Sequence, residues 1–266
     1  MQSIETFGPE RRLVGILSGA ARQDGPVLVL PNAGVAPRAG PFRLHVDIAQ
    51  RLAQAGVRTF RFDLPGAGEA PFIGGIDGGA ATRLALDHLA ARGIADAFVV
   101  GGLCSAADRG WIAAVEDPRV RGVMMIDGIC YKGPWYPLGF VRDTLARPPA
   151  QWRDALRRRA KGIDVELPTA LFRGWPGRAQ VRAELAAMLA RDVRLLLVYT
   201  GGIRDYLRDA RQFRWSFGRH VDDPRMSLHY WRDCDHTFYA RFARVRLLDA
   251  IEHWFASAFG APGRRE

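Results

Sequence analysis

Nowhere in its 266 residues does this chain run eighteen apolar residues without interruption, and its first dozen residues carry Glu5, Glu10 and Arg11 in place of an apolar leader core. A spanning helix needs about twenty such residues and a leader needs an apolar stretch of roughly ten. Neither a membrane span nor a secretory leader is therefore expected, and the expected location is cytoplasmic. Cysteine is scarce as well: Cys104, Cys130 and Cys234 form no CxxC and share no tract with histidines. That pattern excludes a disulfide framework and a zinc site, and no metal or cofactor is expected. Lysine is almost missing, since Lys132 and Lys161 are the only two among 38 basic residues. The net charge of +10 is thus carried by arginine. With no helix-turn-helix spacing, no RNA-binding motif and no aromatic interleaving, nucleic acid is not implied. Anionic small molecules or acidic partner proteins suit this charge better.

Short apolar runs of the buried-strand kind alternate with amphipathic stretches. Strands are expected at 27–30, 59–62, 97–100, 123–126, 195–199 and 227–231, and helices at 43–55, 80–92, 106–115 and 241–259. Such alternation builds βαβ units around a mostly parallel, doubly wound α/β sheet. Residues 4–18 read as one or two antiparallel edge strands. From 131 to 191 the alternation stops, and an arginine-dense stretch at 151–161 follows a segment rich in Pro and Trp. The expectation is a single domain over 1–266 with a helical cap insertion at 131–191. Nothing in the pattern bears on the oligomeric state.

The run from Ala97 to Asp108 places a buried strand directly before Gly102-Leu103-Cys104-Ser105-Ala106 and then a helix. A nucleophile on a tight strand-to-helix turn needs small residues two positions before and two after it, where backbone segments approach each other. Gly102 and Ala106 meet that need and put Cys104 at the centre; a frame centred on Ser105 would force Leu103 into the first small position. A thiol at a helix N-terminus also gains thiolate character from the helix dipole. Cys130 and Cys234 have no such turn and are read as structural.

Of six histidines, His236 alone sits in a short loop between a late strand and a long helix, within Asp235-His236-Thr237-Phe238. It is the expected base. The acid should lie between nucleophile and base in the chain. Asp205, after the strand at 195–199, fits that order, and Asp127, at the end of the strand before it, is the alternative. The loop 31–43 contains Gly34 and follows the first parallel strand, where a second oxyanion donor belongs. Its amide would come from Ala33 or Gly34 and the first from Ser105.

These segments together resemble the α/β-hydrolase superfamily, and more closely the small hydrolases found beside exosortase and exopolysaccharide gene sets in bacteria. Arg38-Ala39-Gly40-Pro41-Phe42-Arg43, Arg61-Phe62-Asp63-Leu64-Pro65-Gly66-Ala67-Gly68, the cysteine pentad and the Asp235–Phe238 loop carry the resemblance. Glu69 and Ala106 depart from the usual pattern. The resemblance implies an ester, thioester or lactone hydrolase working through an acyl-thioester on Cys104, with His236 and Asp205 completing the triad. An acyltransferase using the same acyl-enzyme and a non-catalytic ligand-binding protein are the alternatives. A small acyl substrate is the expected partner, with Arg38 and Arg43 meeting an anionic one; charge alone suggests an acyl carrier protein on the basic insertion.

Overall fold

A computed structural model describes residues 1–20, 25–146 and 173–260. The arginine-dense stretch 151–161, and with it the surface expected to meet an acyl carrier protein, lies outside the described residues.

Eight strands form one sheet in the order β1-β2-β4-β3-β5-β6-β7-β8. They are β1 (Gln2–Phe7), β2 (Leu13–Ser18), β3 (Val27–Pro31), β4 (Thr59–Phe62), β5 (Phe98–Leu103), β6 (Val120–Ile126), β7 (Arg194–Thr200) and β8 (Met226–Trp231). β1 and β2 are the antiparallel edge, and β4 through β8 pair in parallel. All six strands anticipated from the apolar runs are present. The helices among the described residues are α1 (Leu44–Gln54), α2 (Gly78–Ala91), α3 (Ser105–Glu116), α4 (Trp135–Leu145), α5 (Arg178–Ala190), α6 (Arg211–Phe217) and α7 (Arg241–Phe259). None is long and apolar enough to cross a membrane.

The reason for unbroken apolar strands is that both faces are covered. Successive side chains on a strand point to opposite faces, and here they split cleanly. Val29, Phe60, Phe62, Val100, Val123 and Leu197 join one core with α2, α3, α5 and α6. Leu28, Leu30, Val99, Met124, Ile126 and Val198 join the other with α1 and α7. α5 lies inside the range expected to be an insertion, yet Val181, Leu185 and Met188 bury in the first core. It is therefore a crossover helix between β6 and β7, and only the chain before it departs from the βαβ rhythm.

The chain leaves β3 toward β4 on one side and reaches β5 on the other, so the strand order reverses at β3. Loops after β3 and β5 face each other across that switch point, where ligands bind in open α/β sheets. Helix α3 must pack close to bring its first residue to this crevice. Its Gly110 allows it, since a Cβ there would stand 2.4 Å from the carbonyl oxygen of Val100. Gly110→Ala is expected to cost about 1–3 kcal/mol by forcing α3 off β5, read as a lower urea midpoint at unchanged slope. Gly74→Ala, whose Cβ would meet nothing within 4 Å, is expected to leave the midpoint in place.

Candidate active site

Cys104 occupies the turn between β5 and α3 with φ 58° and ψ −120°. This is sparsely populated backbone for a residue with a Cβ, and it persists only where its surroundings hold it. Several contacts do. The Cys104 amide donates to the Ile126 carbonyl at 2.8 Å, and the Cys104 carbonyl accepts from the Ala107 amide at 3.0 Å. The small residues of the pentad explain themselves: a Cβ on Gly102 would lie 3.0 Å from that of Ala106.

The loop after β8 brings His236 over this turn. Asp235 shapes the loop by accepting from the Thr237 amide at 2.9 Å and the Tyr239 amide at 3.1 Å, while Phe238 is wholly buried beneath it. The imidazole comes near enough to the Cys104 thiol for each group to shift the other's titration. On its other side, His236 Nδ1 lies 2.7 Å from Asp127 Oδ2.

The carboxylate at the histidine is thus that of Asp127, not Asp205, and the first choice of acid is corrected. Asp127 directly follows β6, the neighbour of β5, and is fully buried with φ 54°. Thr200, at the end of β7, holds its two oxygens: the amide donates to Oδ1 at 2.7 Å and the hydroxyl to Oδ2 at 2.7 Å. The chain after β7 serves a different purpose. Gly201 and Gly202 form the seat of the histidine loop, since a Cβ on either would stand 2.1 Å from the Arg232 carbonyl oxygen or 2.4 Å from the His236 nitrogen. Asp205 comes only after that seat, half-buried beside Tyr206. The signal for Asp127 was available in sequence as an aspartate closing an otherwise apolar strand, followed by Gly128.

The two titrating partners move in opposite directions. Burial favours the neutral thiol of Cys104, but the bond from His236, the charge of Arg173 and the Ser105 amide outweigh it and hold the thiol below its usual range. Burial likewise favours the neutral imidazole of His236, yet its bonds to Asp127 and Cys104 prevail and push it up to about 10. Both shifts run toward the charged forms, an imidazolium on His236 and a thiolate on Cys104. The other thiols behave differently. Burial raises Cys130 to about 12 and raises Cys234 as well, so neither carries appreciable thiolate.

The loop after β3 lies against the same turn. Its Gly34 amide donates to Ser105 Oγ at 2.8 Å, which engages the amide that was one of two candidates for the second oxyanion donor. Asn32 ties the loop down, donating to the Gly34 carbonyl at 2.8 Å and accepting from the Leu64 amide at 2.9 Å. Arg38 does not project toward a substrate: its guanidinium pairs with Asp63 at 2.5 Å and with Glu69 at 2.5 Å. Arg43 is exposed at the start of α1, with Arg61 near enough to feel its charge.

Sequence reading missed Arg173. Its side chain is 8% exposed and reaches the underside of the elbow from the segment that leads into α5. No motif marks it, because a single arginine after an irregular stretch has no periodicity to betray its direction.

No protein-family profile matches the chain, and no curated protein matches its sequence. Solved structures do resemble it. An esterase of Pyrococcus furiosus, 12% identical, aligns over 99% of this chain and 92% of its own with a TM-score of 0.63. The esterase domain of a Rhodothermus marinus protein, 16% identical, aligns over 98% and 100% with a TM-score of 0.57. Mouse α/β hydrolase domain-containing protein 10, 11% identical, aligns over 96% and 99%, again with a TM-score of 0.57. Identities this low speak for architecture and not for substrate. By its strand order, its switch-point crevice and these structural likenesses, the chain has the α/β-hydrolase fold.

Proposed function

We propose that this protein is a cysteine-dependent acyl hydrolase in which Cys104 is the nucleophile, His236 the proton carrier and Asp127 the orienting acid. The observation that carries the reading is the contact of Asp127 Oδ2 with His236 Nδ1, 2.7 Å away, on an imidazole whose titration is coupled to that of the thiol on a strained elbow. Ester hydrolysis also agrees with the esterases among the structural neighbours.

The chemistry follows from the ion pair. The Cys104 thiolate attacks the acyl carbonyl, a carbon–sulfur bond forms, and the carbonyl electrons move to oxygen. The Ser105 amide and, with Gly34 engaged elsewhere, the Ala33 amide are the proposed donors to that oxyanion. The imidazolium, whose Nδ1 is committed to Asp127, protonates the leaving oxygen or sulfur from Nε2. An acyl-thioester remains. Neutral His236 then takes a proton from water as it attacks, and the thiolate departs to restore the pair.

Water as the second acceptor makes a hydrolase; an alcohol or amine in its place would make an acyltransferase. The intact Asp127–His236–Cys104 line argues against a binding protein that has lost turnover. A preference for small anionic substrates leaned on Arg38 and Arg43; Arg38 is spent on Asp63 and Glu69, which leaves Arg43, exposed at the start of α1, as the one that could serve it. An acyl carrier protein as donor, and the narrower kinship with exosortase-associated hydrolases, belong to the proposal as extensions of it.

Alkylation of Cys104 by iodoacetamide is expected to have a midpoint below the ordinary thiol value of about 8.5. Incubation with p-nitrophenyl acetate is expected to add one acetyl group to the peptide carrying Cys104, and none in Cys104→Ala; equal acetylation of that variant rejects the nucleophile. Asp127→Asn is expected to lower kcat for this ester by about 10²–10⁴-fold, whereas Asp205→Asn stays within twofold or so, since Asp205 is not the partner of His236. The reverse order would return the acid's role to Asp205.

A further inference from the structure

Arg173 makes contacts that no packing requirement explains. Its Nη2 donates to the Cys104 carbonyl at 2.6 Å, and its Nη1 donates to the Asp127 carbonyl at 2.9 Å. Nε donates to Asp108 Oδ2 at 2.6 Å, which anchors the near side of the guanidinium and turns the two outer nitrogens toward the carbonyls. Trp175 lies under the guanidinium carbon, 4.8 Å from the ring centroid. The Tyr206 hydroxyl, itself donating to the Asp127 carbonyl at 2.9 Å, sits 3.5 Å from Nη1.

The two carbonyls that Arg173 joins belong to the two members of the proposed triad with positive φ, Cys104 at 58° and Asp127 at 54°. Each such residue stores strain that neighbouring contacts must hold. A planar fork with fixed donor directions can do this for both at once, in a way a single ammonium cannot. The same fork brings a buried cation to the nucleophile's turn.

We infer that Arg173 is a positioning residue of the active site: one guanidinium locks the nucleophile turn to the acid turn and sets a positive charge beside the reacting sulfur. The inference rests on the reading of Cys104 as nucleophile. It assigns a role in the chemistry to the segment just before α5. The charged or titratable groups around the thiol are His236 from the loop after β8, Asp127 after β6, Asp108 on α3, Tyr206 after β7 and Arg173 itself. Arg173 is the cation among them whose charge does not depend on pH in the working range.

The test is the pH dependence of iodoacetamide alkylation at Cys104, followed by mass spectrometry of its peptide, in the full chain and in Arg173→Gln and Arg173→Lys. Steady-state p-nitrophenyl acetate hydrolysis and thermal unfolding accompany it. An opposite charge at this range shifts an acid by roughly one unit or more. Arg173→Gln is therefore expected to move the alkylation midpoint up by about one unit, leaving about tenfold less thiolate below the midpoint. Arg173→Lys keeps the charge and loses the fork, so it is expected to hold the midpoint while kcat falls and KM stays. A folded Arg173→Gln with the wild-type midpoint overturns the charge role; Arg173→Lys with wild-type kcat overturns the positioning role. If Arg173→Gln does not fold, the kcat of Arg173→Lys decides. A wild-type midpoint near the ordinary thiol value would instead reject the nucleophile reading itself, with Arg173 untouched as its cause.

Discussion

The arrangement depends on holding one residue where its backbone does not wish to be. Cys104 turns the chain from β5 into α3 with a positive φ, and that turn lifts the sulfur off the sheet's end toward the loops. Everything around the crevice answers to it. Gly102 and Ala106 keep the approach open, Gly110 lets α3 lie close enough to start there, and the Ile126 carbonyl ties the turn to the next strand. Without such closure the strain would relax and the thiol would sink among its apolar neighbours, where burial raises rather than lowers a thiol's pKa, as it does for Cys130.

The second dependence is electrostatic. A thiolate half out of solvent is costly unless cations and amides compensate, and here three kinds are present: the imidazolium of His236, the guanidinium of Arg173 and the first amide of α3. The imidazolium needs its own counter-charge, which is the buried carboxylate of Asp127, held by the amide and hydroxyl of Thr200. The chain of compensation thus runs through the ends of four adjacent strands, β5 to β8, all parallel and all presenting their carboxyl ends to one crevice. A parallel sheet supplies that convergence without further invention, which is why unrelated chemistries settle at this edge.

One of the two arginines that sequence alone marks for substrate, Arg38, turns out to be framework. Arg38 closes the loop after β3 by clamping Asp63 and Glu69, and Asn32 and the Gly34 amide complete that loop's attachment to β4 and α3. The arginine that does reach the site, Arg173, comes from a stretch with no pattern. Charge read along a chain does not say which guanidinium faces a ligand, because the long side chain can turn toward either carboxylates or solvent.

What sequence determined by itself was what local physics dictates. Unbroken apolar runs can only be strands covered on both faces, so the sheet and four of its flanking helices, α1, α2, α3 and α7, were legible with boundaries within a few residues. The elbow was legible because small residues at fixed offsets are a steric requirement, and His236 because it alone among the histidines sits in a short loop between a late strand and a long helix. Tertiary structure decided the rest. Asp127 and Asp205 both precede His236 in the chain, and only the juxtaposition of β6, β7 and β8, with Gly201 and Gly202 clearing space for the histidine loop, selects Asp127. The engagement of Gly34 by Ser105, the capture of Arg38 and the reach of Arg173 are likewise contacts between residues dozens of positions apart. Such contacts are set by distance in space, and sequence spacing carries no record of it.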